Sequence, residues 1–453
     1  MHRTLCALCA LSALSACSKS EPEKPAKAGA ALEADPGTPE PAKPEPAKPA
    51  QPAVAAATAD SLPRGLLLAY AQFEVVDGKV TAKPGPARIE MLQRRGGKWE
   101  VEGLEDSQSN VFHKAMAYTP AGGGEAILSF AGMEAAVKLW RRGADGFTAE
   151  TLWTEKFGGK WDRMRDGEVG DLYGDGSAAI AVATHDQGVV AVLKPQEGGK
   201  FEVVKLGAKP DTFVHEIELG DIDGDGAMEV YATPSEPNKL TGGEQHGEVW
   251  RFVPKTGKGP EVVADLGKRH AKEILVTDVD GDGRDELYVA VEALTAGKGA
   301  SMRLVEPVEI RRYDQDTPAD KGQVVATLPD RLCRFLTAGD VDGDGKRELV
   351  AAAYRSGVWL LRPPTDKGAK WAVESIDKES SGFEHAAVFA DLDGDKRDEL
   401  YVAADEQGEL RRYVWTDGKP VRETIHRREH ANSMMTWNIM PVSVETLAAQ
   451  DTK

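Results

Sequence analysis

Beyond Leu62 the chain repeats one alternation of polar turns and apolar runs. An Asp-rich turn is followed by a strand-like run at 230–233, 287–291, 349–353 and 400–404. A third strand comes next, as in Gly247-Glu248-Val249-Trp250-Arg251-Phe252 or Gly408-Glu409-Leu410-Arg411-Arg412-Tyr413. A fourth closes the unit. Segments 99–104, 147–153, 201–207, 261–267, 323–329, 371–377 and 421–427 all occupy that last place, so the pattern predicts seven units of four strands.

The spacing of the turns fixes the architecture those units build. The plainest copies begin at Asp221, Asp278, Asp340 and Asp391, and a degraded fifth begins at Asp171. Successive starts are 50, 57, 62 and 51 residues apart, which fits one four-stranded blade per repeat. The expected fold is all-β, a seven-bladed β-propeller over 62–442 with a tail at 443–453. The first unit has second, third and fourth strands at 66–73, 88–93 and 99–104, but no first strand precedes them. The run 434–442 has no partners of its own, so it is expected to supply that innermost strand and remove an exposed edge. The alternative is an unattached tail.

Within each turn, carboxylates at positions 1, 3 and 5 with Gly at 6 alternate toward one point, and hard oxygen ligands in a tight turn suit calcium. The start resembles an EF-hand, but position 12 holds Ala232, Val289, Ala351 or Val402, and the acid stands instead at position 9. This nine-residue loop between strands, at this period, resembles the calcium loops of FG-GAP and VCBS repeats, the family of integrin α-subunit propellers and many bacterial surface proteins. The resemblance covers roughly residues 110 to 430. It implies three to four structural Ca²⁺ sites. The first would use Asp221, Asp223, Asp225, Glu229 and the Ala227 carbonyl; the second Asp278, Asp280, Asp282 and Glu286; the third Asp340, Asp342, Asp344 and Glu348. Asp391, Asp393, Asp395 and Glu399 would form a weaker fourth, because Lys396 replaces the turn glycine at a cost on the order of 1 kcal/mol if it goes left-handed. At Asp171 the third and ninth places are Tyr173 and Ala179, so that turn is expected to hold an ion poorly or not at all.

A second feature recurs. His215, Arg334 and His385 stand six residues before the first Asp of their loops, His270 stands eight before, Arg165 precedes Asp171, His113 precedes Thr119, and His430 heads the closing strand. A His or Arg is thus expected at the head of every inner strand, ringing the channel mouth on the face opposite the acidic loops. Three roles compete for this ring: backbone hydrogen bonding that spaces the blades, an anion or acidic-polysaccharide site, and a His-held metal near the axis.

The N-terminus adds location. A basic start, an apolar run from Leu5 to Leu14 and Leu14-Ser15-Ala16-Cys17 read as an export signal ending in a lipobox, with Cys17 the lipidated residue; an ordinary secretory signal is the alternative. Residues 18–61 are rich in Pro, Ala, Lys and Glu and should form a solvated tether of roughly 130 Å at most, at about 3.1 Å per residue. These features predict an exported protein attached to a bacterial membrane, outer membrane or cell surface, by its lipid anchor only. Cys333 is the single cysteine beyond the signal, so no internal disulfide is expected. The net charge of −18 argues against nucleic acid as a partner.

No nucleophile elbow, phosphate-cradling glycine loop, Cys-rich metal motif or zinc-protease helix occurs. The leading expectation is a non-enzymatic calcium-binding surface module that recognises a protein or glycan. The alternative is an extracellular polysaccharide-acting enzyme, such as a calcium-dependent lyase, using His215, His270, Arg334 and His385.

Overall fold

Arg64–Val76 shows how this sequence makes a blade. Its alternate residues Leu66, Leu68 and Tyr70 pack with Tyr401, Ala403 and Leu410, while Leu67 and Ala69 pack with Phe112, Ile127 and Trp140. A strand with apolar residues on both faces can be buried only between two other sheets, and the period of two sends alternate side chains to each. The computed structural model describes residues 64–447 except 160, 161, 186, 238–242, 298–300 and 367. The signal, Cys17, the tether and residues 448–453 lie outside the described residues.

The strands form seven sheets of the same order, each antiparallel from axis to outside. The inner strands of blades 2 to 7 are Val111–Tyr118, Met164–Gly170, Phe213–Gly220, Ala271–Thr277, Cys333–Gly339 and Ala387–Ala390. The fold is an all-β seven-bladed propeller. Blade 1 takes its inner strand from the C-terminus: Met434–Ser443 pairs antiparallel with Arg64–Val76, from Arg64 opposite Ser443 to Gln72 opposite Met434. The two ends of the propeller are thereby tied by one ladder, as the missing first strand required.

Each pair of neighbouring blades shares a hydrophobic cluster, and the clusters run around the ring without a gap. Second strands such as Glu286–Val291, Glu348–Ala353 and Glu399–Ala404 are buried throughout. Outer strands such as Gln323–Leu328 are partly exposed. Each fully buried Val or Leu contributes about 1.5–3 kcal/mol, so these shared layers hold the blades together without crosslinks. Cys333 is a free buried thiol.

Two additions were not expected from the repeat. Arg64–Val76 extends outward to pair with Lys79–Pro84, and the long connection in blade 5 carries a hairpin of Leu294–Ala296 with Arg303–Glu306. First-to-second strand turns, which hold the acidic loops, lie on one face. Second-to-third connections and the entries to inner strands lie on the other.

Candidate functional site

Each acidic loop is folded around its own first carboxylate. Asp221 accepts the N–H groups of Asp225 and Gly226 at 3.0 and 2.7 Å, and Asp278 those of Gly281 and Gly283 at 2.7 and 2.9 Å. Asp340 does the same with Gly343 and Gly345, and Asp391 with Gly394 and Lys396. Position 6 is left-handed in all four, with φ of 81° at Gly226, 88° at Gly283, 85° at Gly345 and 71° at Lys396. This geometry gathers the side chains. Oxygens of Asp278, Asp280, Asp282 and Glu286 lie within 4.8 Å of one another, as do those of Asp221, Asp223 and Asp225, of Asp340, Asp342 and Asp344, and of Asp391, Asp393 and Asp395. An all-oxygen, mostly carboxylate set fits Ca²⁺, and Asp223 Oδ1 is buried with no hydrogen-bond partner.

Glu229, Glu348 and Glu399 stand outside those sets. They are buried and fasten the loop to the blade: Val341 and Leu392 donate backbone N–H groups to Glu348 and Glu399 at 3.2 and 3.0 Å, and Tyr231 and Tyr401 donate hydroxyls to Glu229 and Glu399. An arginine from the third strand bridges positions 3 and 9 in every loop: Arg251 to Asp223 and Glu229, Arg312 to Asp280 and Glu286, Arg362 to Asp342 and Glu348, Arg412 to Asp393 and Glu399. Burial pushes Glu286 and Glu399 up to about 7 despite Arg312 and Arg412. The degraded loop keeps the same turn, with Asp171 accepting the N–H groups of Asp175 and Gly176 and Asp175 that of Ser177, but Tyr173 stands at position 3 and Lys194 lies over its ring at 4.0 Å.

The residues six positions before each loop occupy one structural place, the bulge near the start of the inner strand. His113, Arg165 and Arg334 are the extra residues there, His215 sits in the same irregularity beside Glu216, and His385 takes the place in blade 7 with φ of 57°. Two expected members are not in the ring. In blade 5 the bulged residue is Lys272, six before Asp278, while His270 precedes the strand and lies 3.0 Å from Glu292. In blade 1 it is Trp437, and His430 precedes a short 3-10 turn ahead of that strand. Nor does the ring face solvent. His113, Arg165, His215, Lys272, Arg334 and His385 are at most 6% exposed.

They form a hub on the axis. Arg165 and the edge of His113 both lie 4.7 Å from the Trp437 ring. Arg334 pairs with Glu384 at 3.1 Å and lies 3.8 Å from Glu292, and Arg165 reaches Glu384 at 3.7 Å. His385 is held between the Ala353 carbonyl and Ser380 Oγ at 2.6 and 2.7 Å. Burial, then the neighbouring cations, push His113 and His215 well below the ordinary imidazole range, so both are neutral. Lys272 is lowered to about 8 by burial, although Glu292 opposes the shift. Burial alone would raise Glu292, but His270, Lys272 and Arg334 hold it at about 2.

Comparison with known proteins agrees with the fold. Residues 340–402 match the model of the FG-GAP-like repeat, a span that contains the third and fourth loops and the blade between them. The chain carries an FG-GAP-like repeat within a seven-bladed propeller. Among solved structures, it is similar to the Dos1 propeller, with a TM-score of 0.50, 10% identity and coverage of 82% of this chain and 90% of that one. It is also similar to the periplasmic gluconolactonase PpgL of Pseudomonas aeruginosa, with a TM-score of 0.50, 13% identity and coverage of 84% and 99%. At these identities the likeness concerns the fold alone. No curated protein matches the chain.

The propeller also holds a group that its sequence did not single out. Lys114 is buried against Asp166 at 3.2 Å and against Glu168, with Glu216, Glu218 and Glu273 nearby along the inner strands. Burial, reinforced by repulsion from neighbouring carboxylates, raises Glu216, Glu218 and Glu273 well above the usual carboxylate range. The alternation of Glu216 and Glu218 is visible in the sequence; their convergence on Lys114 of another blade is not.

Proposed function

We propose that this chain is a non-enzymatic recognition module, a propeller that binds calcium through its rim loops and a ligand through the opposite face. The observation that carries the reading is the burial of the four side chains considered for catalysis. His215, His270, Arg334 and His385 are 4%, 1%, 4% and 0% exposed, so a polymer substrate does not reach them. The acidic loops, by contrast, stand on an open rim with their first carboxylates already oriented by backbone N–H groups. Calcium there would be structural: Asp221, Asp278, Asp340 and Asp391 with the Asp residues at positions 3 and 5 would hold it, and it would neutralise carboxylates that otherwise repel. Lipidation at Cys17 and the Pro-rich tether would display the module at a membrane surface.

The test is thermal melting in calcium and in chelator, for the wild type and for the Asp278→Asn/Asp340→Asn variant. Binding to the folded state alone stabilises it by RT ln(1 + [L]/Kd) per site. Calcium is expected to raise Tm by several degrees in the wild type and less in the variant. Equal melting curves with and without calcium overturn the reading.

A further inference from the structure

On the face opposite the acidic loops, four side chains from blades 6 and 7 meet in a platform. Arg331 enters the inner strand of blade 6, Tyr354 and Arg355 leave its second strand, and Phe383 enters blade 7. The guanidinium carbons of Arg331 and Arg355 lie 5.3 and 4.9 Å from the Tyr354 ring centroid. Phe383 meets Tyr354 edge to face at 6.3 Å and 83°. Buried Arg334 lies 5.2 Å from the Phe383 ring and ties the platform to the hub beneath.

The backbone under these side chains is pinned. Asp330 accepts the N–H groups of Arg331, Arg355 and Ser356 at 2.6, 2.7 and 2.5 Å, which occupies both its oxygens. Tyr354 N–H donates to the Leu332 carbonyl at 3.0 Å, and Gly382 N–H to that of Tyr354 at 3.3 Å. The platform is therefore preorganised, which lowers the ordering cost of binding.

Its charge is unusual for this molecule. In a chain of net charge −18, Arg331 has no carboxylate partner among the described residues, its Nη1 resting 3.6 Å from Met302 Sδ, while Arg355 donates to the Tyr354 hydroxyl at 3.3 Å and lies 4.0 Å from the Glu406 carboxylate. In the hub below, Arg165 and Arg334 pair with Glu384, Arg334 also lies near Glu292, and Lys272 Nζ makes no hydrogen bond. Forked guanidiniums match carboxylates in a bidentate way, and aromatic rings beside them offer an apolar surface for the C–H face of a sugar ring. A nucleic acid is a poorer fit: two arginines do not track a row of phosphates on an acidic protein.

We propose that this platform binds a carboxylated sugar, a uronate residue of an acidic polysaccharide, with Arg331 and Arg355 on the carboxylate and Tyr354 and Phe383 against the ring. The inference rests on the recognition reading above and names its ligand class.

The test is titration calorimetry of the full chain with oligogalacturonate, its fully methyl-esterified form, and a single-stranded oligonucleotide of similar charge. The wild type and the Arg331→Gln/Arg355→Gln variant are compared, with Tm in calcium and in chelator recorded for both. Binding of oligogalacturonate is expected, weakened at least about tenfold by esterification and by the double substitution, as loss of a charge-assisted pair implies, with Tm unchanged. No binding of oligogalacturonate, equal binding by a folded double variant, or tighter binding of the oligonucleotide overturns the proposal. A calcium-independent Tm with intact oligogalacturonate binding instead overturns the calcium reading and leaves the platform standing.

Discussion

Asp398 Oδ2 accepts the backbone N–H of Asp340 at 2.8 Å, joining the loop of blade 7 to the first residue of the loop before it. The Asp398 N–H donates back to the Asp340 carbonyl, also at 2.8 Å, and Asp285 makes the corresponding bond to the N–H of Asp221. The eighth loop residue thus couples neighbouring loops around the rim, and Arg347 reaches Thr277 from the same position.

Replacing Asp398 by Ala leaves a half-buried N–H without its acceptor. The expected loss is about 1–3 kcal/mol of unfolding free energy, read from urea denaturation. A loss below about 0.5 kcal/mol, the range of ordinary surface substitutions, contradicts the coupling.

Lys396 holds a left-handed conformation that glycine occupies in the other loops. Lys396→Gly is expected to stabilise the protein by roughly 0.5–1 kcal/mol and to tighten calcium binding by the fourth loop. Denaturation and calcium titration of the variant check both effects.

The buried ammonium of Lys272 gives a pH signature. Its folded pKa, about 8, lies below the unfolded value of 10.5, so between these pH values the unfolded chain binds the extra proton. Stability attributable to this group therefore rises with pH across that window, by up to a few kcal/mol, and the penalty is fully present below it. Lys272→Met is expected to be more stable than the wild type at pH 7 and to lack this rise, as chemical denaturation between pH 7 and 10 would record.

The ladder of blades was legible because strand pattern, turn chemistry and period agree, and the unpartnered run ending at Val442 pointed to ring closure. The hub was less legible because a β-bulge sets which residue turns to the axis. Counting six residues back from Asp278 gives Lys272, yet the nearby His270 looked more like its counterparts. No loop aspartate marks the count for Trp437. The role of the ninth-position glutamates was hidden for a similar reason. Tyr288 stands opposite Arg312 and Tyr401 opposite Arg412 only once the strands pair, and that pairing surrounds Glu286 and Glu399 with donors.

Native mass spectrometry of the purified chain, exchanged into buffer with free calcium and then with chelator, tests the central claim most directly. Four loops of gathered aspartates predict three to four calcium ions per chain, lost in chelator and reduced by one in Asp278→Asn. A metal-free mass in saturating calcium contradicts the account.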